Sequence, residues 1–288
     1  MSHNDGMTYT VRRLQVDLDT PWPRHWAGGD AFRSAWFNAL SFSFPAGEQL
    51  FIDAVKQGAA KLDGPVRERF AAEVQAFIGQ EATHRRIHQR FNAQLVAQGY
   101  VNTWEGRILH RRATQLEGQD PRVWLGVTAA TEHFTAILAE WLLTSPTALA
   151  GAEPRLRDLW LWHASEESEH RATAFDLYHA LGGNLRWRRR LYVVITLHFA
   201  ADVMRQTLAN LWRDGHWWRP ATWAGAWRLL LGRGGLLRAT WRPWKRYFAA
   251  DFHPDEGDGA PADAWLAAHA HLAPPVRGVS PVQDSASA

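Results

Sequence analysis

From residue 45 to residue 250 the apolar positions recur every three to four residues, and the two-residue alternation of strands is nearly absent. "FPAGEQLFIDAVKQGAAKL" predicts a helix beginning at Pro45, a residue suited to a first turn, with Phe51, Val55 and Leu62 on its apolar side. Gly64-Pro65 ends it and opens a long helix to Gly99. A shorter helix over 103–118 follows. Asp120-Pro121 opens another that stops before Pro146, and Pro154 opens one running to Gly182-Gly183. Further helices are expected near 185–214, 220–231 and 235–250. Residues 1–30, with Pro21, Pro23 and Gly28-Gly29, read as irregular. Residues 254–263 are acidic and Gly/Pro-rich, and "PPVRGVSPVQDSASA" has the composition of a disordered tail. The expectation is an all-α chain in four parts. These are an irregular segment 1–30, a four-helix bundle in 31–182, additional helices 183–250 packed on it, and an acidic segment with a flexible tail in 251–288.

Composition refines this picture. The 288 residues are 46% hydrophobic and 21% charged, suited to one large domain or a domain with an appended part. There is no cysteine, so no disulfide, thiolate ligand or cysteine nucleophile is available, and a metal must be held by nitrogen and oxygen. No 18-residue apolar run or signal-peptide h-region is present, which gives a cytoplasmic expectation. The net charge of +3 conceals an asymmetry. Residues 183–250 hold thirteen Lys or Arg, two acids (Asp202, Asp214) and eight of the seventeen Trp, leaving nineteen bases against twenty-seven acids elsewhere. The favoured reading has these Trp packing on the bundle and the Arg residues pairing with its acids. The alternative is peripheral membrane association through 183–250, since Trp beside Arg is the interfacial pattern. No nucleic-acid motif accompanies the charge.

The candidate chemistry lies in "SEESEH", residues 165–170, inside an otherwise core-like helix. Buried charge is costly unless paired or bound to metal. Glu167 and His170 form an E-x-x-H pair, as do Glu81 and His84, and positions i and i+3 share a helix face. Two such helices plus Glu48 and Glu132 on two others make the recipe for a dinuclear carboxylate site in a four-helix bundle. His163, Glu167 and His170 fall on one stripe, so His163 is a candidate seventh ligand; His88, at i+7 from Glu81, is its rival. Glu166 and Glu169 turn about 100° and 200° away from Glu167; Glu169 is expected in solvent or an ion pair, Glu166 flanking the ligands. His133 reads as a neighbour facing another helix, and His179 and His198 as ordinary helix histidines. Asp176 or Asp202 is a candidate to orient a ligand imidazole.

The stretches "ALSFSFPAGEQLFI", "FIGQEATHRRIH", "EHFTAILAE", "WHASEESEHRATAFDLY" and "WRPWKRYFAADFHP" resemble the ferritin-like family described as predicted metal-dependent hydrolases, over about residues 8–254. Within the same superfamily, di-iron arylamine N-oxygenases carry H-x-x-x-E-x-x-H, which His163, Glu167 and His170 match. The resemblance implies a ferritin-like bundle with seven ligands: Glu48, Glu81, His84, Glu132, His163, Glu167 and His170. One departure is that Glu48, three residues after Pro45, would sit in a first turn rather than mid-helix. Nitrogen and oxygen donors suit two iron ions, or Mn/Fe. The expected function is O2-dependent oxygenation or oxidation of a small apolar or aromatic molecule, with O2 and an external electron donor as partners. The alternative is a dinuclear hydrolase with two Mn or Zn ions, and the second alternative a ferroxidase. A homodimer is expected by analogy with ferritin-like proteins.

Overall fold

The computed structural model describes residues 9–276, and among them the fold is all-α. Ten helices follow one another: α1 Ala31–Ala59, α2 Gly64–Ala97, α3 Trp104–Arg111, α4 Pro121–Thr144, α5 Pro154–His170, α6 Thr173–Ala180, α7 Leu185–Arg213, α8 Pro220–Leu230, α9 Leu236–Arg246 and α10 Ala260–Ala268. A π-helical turn, Arg112–Leu116, closes α3. Side-chain caps start several of them: Asp30, Asp120, Glu153 and Asn184 each accept a backbone N–H of their helix's first turn.

The first helix begins fourteen residues before the position predicted from Pro45. Asp30 caps it at Ala31, and Pro45 lies in its interior. A proline there cannot donate to the carbonyl four residues back, that of Ser41. Asn92 Nδ2 of α2 donates to that carbonyl instead, at 2.9 Å. The substitution of a side-chain donor for the missing backbone one lets the helix continue, and it places Glu48 mid-helix. The expected helix from Pro154 to Gly182 is divided between α5 and α6. Arg171 and Ala172 keep right-handed helical angles (φ −52°, ψ −21° and φ −96°, ψ −21°), so the division is a loosening and not a reversal. The segment 251–276 is more ordered than its composition suggests. It contains α10, and Val276 N–H donates to Val11 O at 2.8 Å, beside Arg13 N–H to Pro274 O at 3.1 Å. The rest of the expected tail, 277–288, lies outside the described residues.

α1 packs on α2 and α4, and α5 packs on α4 and α2. The apolar side chains of these helices fall into two clusters. One gathers Phe37 and Leu40 of α1, Phe91 and Leu95 of α2 and Leu156 and Trp160 of α5. The other gathers Phe51 and Val55 of α1, Phe77 of α2, Leu125 of α4 and Phe175 of α6. Glu48, Glu81, His84 and the 163–170 stretch lie between them in sequence, a polar stratum enclosed by apolar ones. α7 packs on α1 and α4, α8 on α1, α9 on α4 and α10 on α5. Their anchors are residues such as Tyr192, Val203, Leu211, Leu229 and Leu236, all buried. Arg188 is buried too, stacked over Tyr247 and Phe252 and donating to the Tyr247 carbonyl at 3.1 Å.

At Gly58, α1 packs closely on α4, since a Cβ there would lie 2.5 Å from Leu125 Cδ1. Gly58→Val is expected to destabilise the protein by about 1–3 kcal/mol through overpacking. Urea unfolding of the variant against the parent checks this, and an unchanged midpoint would contradict it.

Candidate metal centre

Glu48 comes from α1, Glu81 and His84 from α2, Glu132 from α4, and His163, Glu167 and His170 from α5; all seven are buried. Their donor atoms form two overlapping groups, Glu81–His84–Glu167–His170 and Glu48–His84–His163, within each of which the atoms lie within 4.8 Å of one another. His170 Nε2 is 3.5 Å from Glu81 Oε1 and 3.8 Å from Glu167 Oε1. His84 Nδ1 is 3.4 Å from Glu167 Oε1. His163 Nε2 is 2.9 Å from Glu167 Oε1 and 3.9 Å from Glu48 Oε1. Glu132 stands apart from both groups, and its Oε2 meets His170 Nδ1 at 3.1 Å.

The fit of this set to a cation follows from what it leaves unmade. Both oxygens of Glu48 and of Glu81, Glu132 Oε1, Glu167 Oε2, His84 Nδ1 and His170 Nε2 are buried without a hydrogen-bond partner. Buried polar atoms are nearly always paired, so eight orphans in one stratum mark a place for something that accepts electron pairs. A contrasting group makes the point. His25, Asp214 and His216 also cluster, but Asp214 is hydrogen-bonded by His25 and Arg24 and His216 Nδ1–H reaches the Asp214 carbonyl, so its donors satisfy one another.

Outer contacts orient the three imidazoles. His84 Nε2 meets Glu166 Oε2 at 3.0 Å, and Arg12 holds Glu166 at 3.3 Å. His170 Nδ1–H donates to Glu132, turning Nε2 inward. His163 is set by a chain that starts at Pro45. Asn92 spends its amide N–H on the Ser41 carbonyl, so its Oδ1 accepts from Ser41 Oγ–H at 2.7 Å. Ser41 Oγ then accepts from His88 Nδ1–H at 2.8 Å, and His88 Nε2 accepts from His163 Nδ1–H at 2.7 Å. The His163 Nε2 lone pair is left facing Glu167 and Glu48. His88 thus stands behind His163 and outside the two donor groups. Glu169 is ion-paired by Arg12, at 2.8 Å, and hydrogen-bonded by Gln80. His133 Nε2–H reaches the Pro243 carbonyl at 3.1 Å, and His179 is exposed. Neither Asp176 nor Asp202 orients a ligand imidazole: Asp176 pairs with His253 at 2.9 Å, and Asp202 with Arg107 at 2.6 Å and with Arg111. Arg12, Ser41 and Asn92 have no signal in sequence spacing, because each acts through another side chain.

Without a cation the stratum holds protons. Burial and neighbouring carboxylates push the carboxyls of Glu48 and Glu81 well above the ordinary range, while burial raises Glu132 to about 7 against the pull of His170. Burial pushes the His84 pKa down, but its hydrogen bond to the Glu166 carboxylate and the adjacent Glu167 carboxylate outweigh it and raise it to about 10. Burial and the nearby His84 lower His163 to about 4. Burial opposes ionisation of Glu167 as well, yet His170, His163 and His84 hold it below the usual range. An apolar cavity of about 250 Å³ adjoins the stratum, with Glu48, His163 and Glu167 at its wall among Phe44, Phe51 and Phe134. His198 and the π-helical turn also line it. A larger cavity of about 590 Å³, lined by Asp30, Arg33 and Arg228, touches none of these seven residues.

A sequence model of the family described as "predicted metal-dependent hydrolase" matches residues 10–258. No curated protein and no solved structure matches the chain.

Two outcomes are expected. Carboxyls with raised pKa stabilise the metal-free protein below about pH 4.3 and lose that contribution as the pH rises, for Glu132 through about 7. His84 runs the same way, and Glu167 opposes it. Divalent metal competes with these protons, so its stabilisation should be greater at pH 8 than at pH 6. At a hundred times Kd the gain is about 2.7 kcal/mol, a rise in Tm of roughly 5–10 °C. Equal thermal shifts at both pH values would contradict this. Ser41→Ala removes the acceptor of His88 Nδ1–H and should weaken metal binding roughly 10-fold, read by equilibrium titration. Unchanged affinity would contradict the orienting chain.

Proposed function

This chain belongs to the family of predicted metal-dependent hydrolases, and from that premise we propose that it binds two divalent cations between α1, α2, α4 and α5 and hydrolyses a small, largely apolar substrate there. The observation that carries this reading is the set of orphaned carboxylate oxygens and imidazole nitrogens in the stratum. Glu48, Glu81, His84, Glu132, His163, Glu167 and His170 would hold the ions. Bound there, such a pair supplies Lewis acidity to a water molecule and to the substrate's electrophilic group.

The chain's own residues do the rest. Phe44, Phe51 and Phe134 exclude bulk water and hold the apolar body of the substrate, so that its ester or amide group reaches Glu48, His163 and Glu167. Glu166 and Arg12 keep His84 in place, and the Ser41–His88 chain keeps the proton of His163 on Nδ1.

A second reading is favoured by one observation. His163, Glu167 and His170 all turn into the stratum, so the donor set carries a third imidazole nitrogen. That set suits two iron ions, or Mn/Fe, and O2-dependent oxygenation of an apolar substrate, with electrons from an external donor. Anaerobic assay of the zinc- and manganese-loaded protein on apolar nitrophenyl esters, beside O2 uptake by the reduced iron-loaded protein, separates the two. Hydrolysis without O2 is expected, with Glu167→Gln lowering its rate at least about 10²-fold through loss of metal. Turnover only with iron and O2 would overturn the hydrolase in favour of the oxygenase.

A further inference from the structure

The helices after Gly183 pack on the rest of the protein mainly through residues other than their tryptophans, Trp244 and the Trp223 ring against Phe32 being the exceptions. Seven of the eight Trp in residues 183–250 are exposed, Trp244 being the exception. On α7 the exposed Trp187, Val193, Leu197, Met204, Leu208 and Trp212 fall within one arc of about 120° at 100° per residue. The buried Tyr192, Val203, Gln206 and Asn210 lie on the opposite side. Leu197 and Trp212 are 65% and 66% exposed, and they belong to a contiguous apolar face of the kind that marks an interaction surface. The surface continues onto the next helices. Trp212 stacks on Trp217 with ring centroids 5.1 Å apart, and the Trp217 carbonyl accepts from Trp223 Nε1–H at 2.8 Å. Trp241 of α9 stacks on Trp244 at 5.3 Å, and Trp244 Nε1–H donates to Thr196 of α7 at 3.2 Å.

The charge on this surface is of one sign and largely uncommitted. Arg186, Arg190 and Arg205 fall within or at the edge of the α7 arc, and Arg238, Arg242 and Lys245 are exposed on α9. Among the described residues, the ion pairs made by Lys or Arg of 183–250 are those of Arg228 with Asp30 and of Arg246 with Asp251 and Glu256. The expectation that these arginines pair with the bundle's acids therefore holds only for Arg228 with Asp30.

We propose that the face formed by α7, α8 and α9 docks peripherally on an anionic lipid bilayer. Trp and Arg side by side at the headgroup level, on helices lying in the interface plane, satisfy both the apolar and the cationic parts of this surface. No helix among the described residues is long and apolar enough to cross a membrane, so the contact is peripheral. Charge selects the occupant. A second copy would set cation against cation, whereas anionic headgroups complement the arginines. Val194, exposed within the α7 arc, also lines the cavity that reaches Glu48, His163 and Glu167, together with Leu191 and Ile195. An apolar substrate dissolved in the bilayer would enter there. This last step rests on the proposed function, while the docking itself does not.

Vesicle flotation of the full chain tests the docking. The protein is expected to float with phosphatidylcholine–phosphatidylglycerol vesicles, not with phosphatidylcholine alone, and to be released near 1 M salt, where the Debye length is about 3 Å. Arg190→Gln and Arg205→Gln should each weaken binding about fivefold, the equivalent of about 1 kcal/mol per cation. Leu197→Glu, at an already exposed position, should weaken it at least tenfold. Metal content and circular dichroism should be unchanged in all three, which separates the surface from the metal centre and from unfolding. Absence of flotation, or flotation indifferent to salt and to all three substitutions, would overturn the proposal. A stable dimer dispersed by Leu197→Glu, without vesicle binding, would overturn it in favour of a second copy.

Discussion

The rest of the structure is arranged around the burial of carboxylates that the chain's own cations neutralise only in part. Glu48, Glu81, Glu132 and Glu167 sit fully enclosed with His84, His163 and His170, and the stratum's guanidinium, that of Arg12, is spent on Glu166 and Glu169. Desolvating even one unpaired carboxylate costs several kcal/mol. Helices that carry such a cluster must be held together by apolar contacts on either side, and the two apolar clusters above and below the stratum supply them. Two divalent cations would offset the charge of four carboxylates, and this charge balance, more than any single distance, is the physical basis of the proposed centre.

A single proline connects the backbone to the chemistry. Pro45 withholds one helical hydrogen bond, Asn92 replaces it, and the remaining hydrogen-bonding capacity of Asn92 and Ser41 sets the direction of every proton out to His163. A residue that would ordinarily break a helix therefore fixes a tautomer at the candidate site. The same residue explains the displaced start of α1. Read locally, Pro45 belongs to a first turn; read with Asn92 across the α1–α2 interface, it is tolerable mid-helix.

The all-α fold was legible because helical periodicity and Pro/Gly punctuation are local signals, and Pro121, Pro154 and Pro220 do open helices. Glu81, His84, Glu167 and His170 were legible as a cluster because i, i+3 spacing on a helix is a statement about space. The roles of Arg12, Ser41 and Asn92 were not, because they depend on which helices meet. Asp176 and Asp202 were plausible orienting groups by type alone, and their partners turned out to be His253 and the Arg107–Arg111 pair. The exposure of the Trp-rich segment was not legible, for a related reason. Composition counts tryptophans and arginines, but the helical face on which they fall decides whether they pack inward, and on α7 the apolar arc and the buried side are opposite one another.

The number of metal ions the stratum takes up tests the proposed centre most directly. Metal-depleted protein, titrated at neutral pH with manganese, zinc and anaerobic iron(II) and analysed by elemental mass spectrometry after desalting, should retain two ions per chain. Glu81→Gln, which keeps the shape of the side chain and removes its charge, should retain fewer. Retention of no ion with any of the three metals by correctly folded protein would contradict the central claim, and the orphaned oxygens of Glu48 and Glu81 would then have to be held by protons alone.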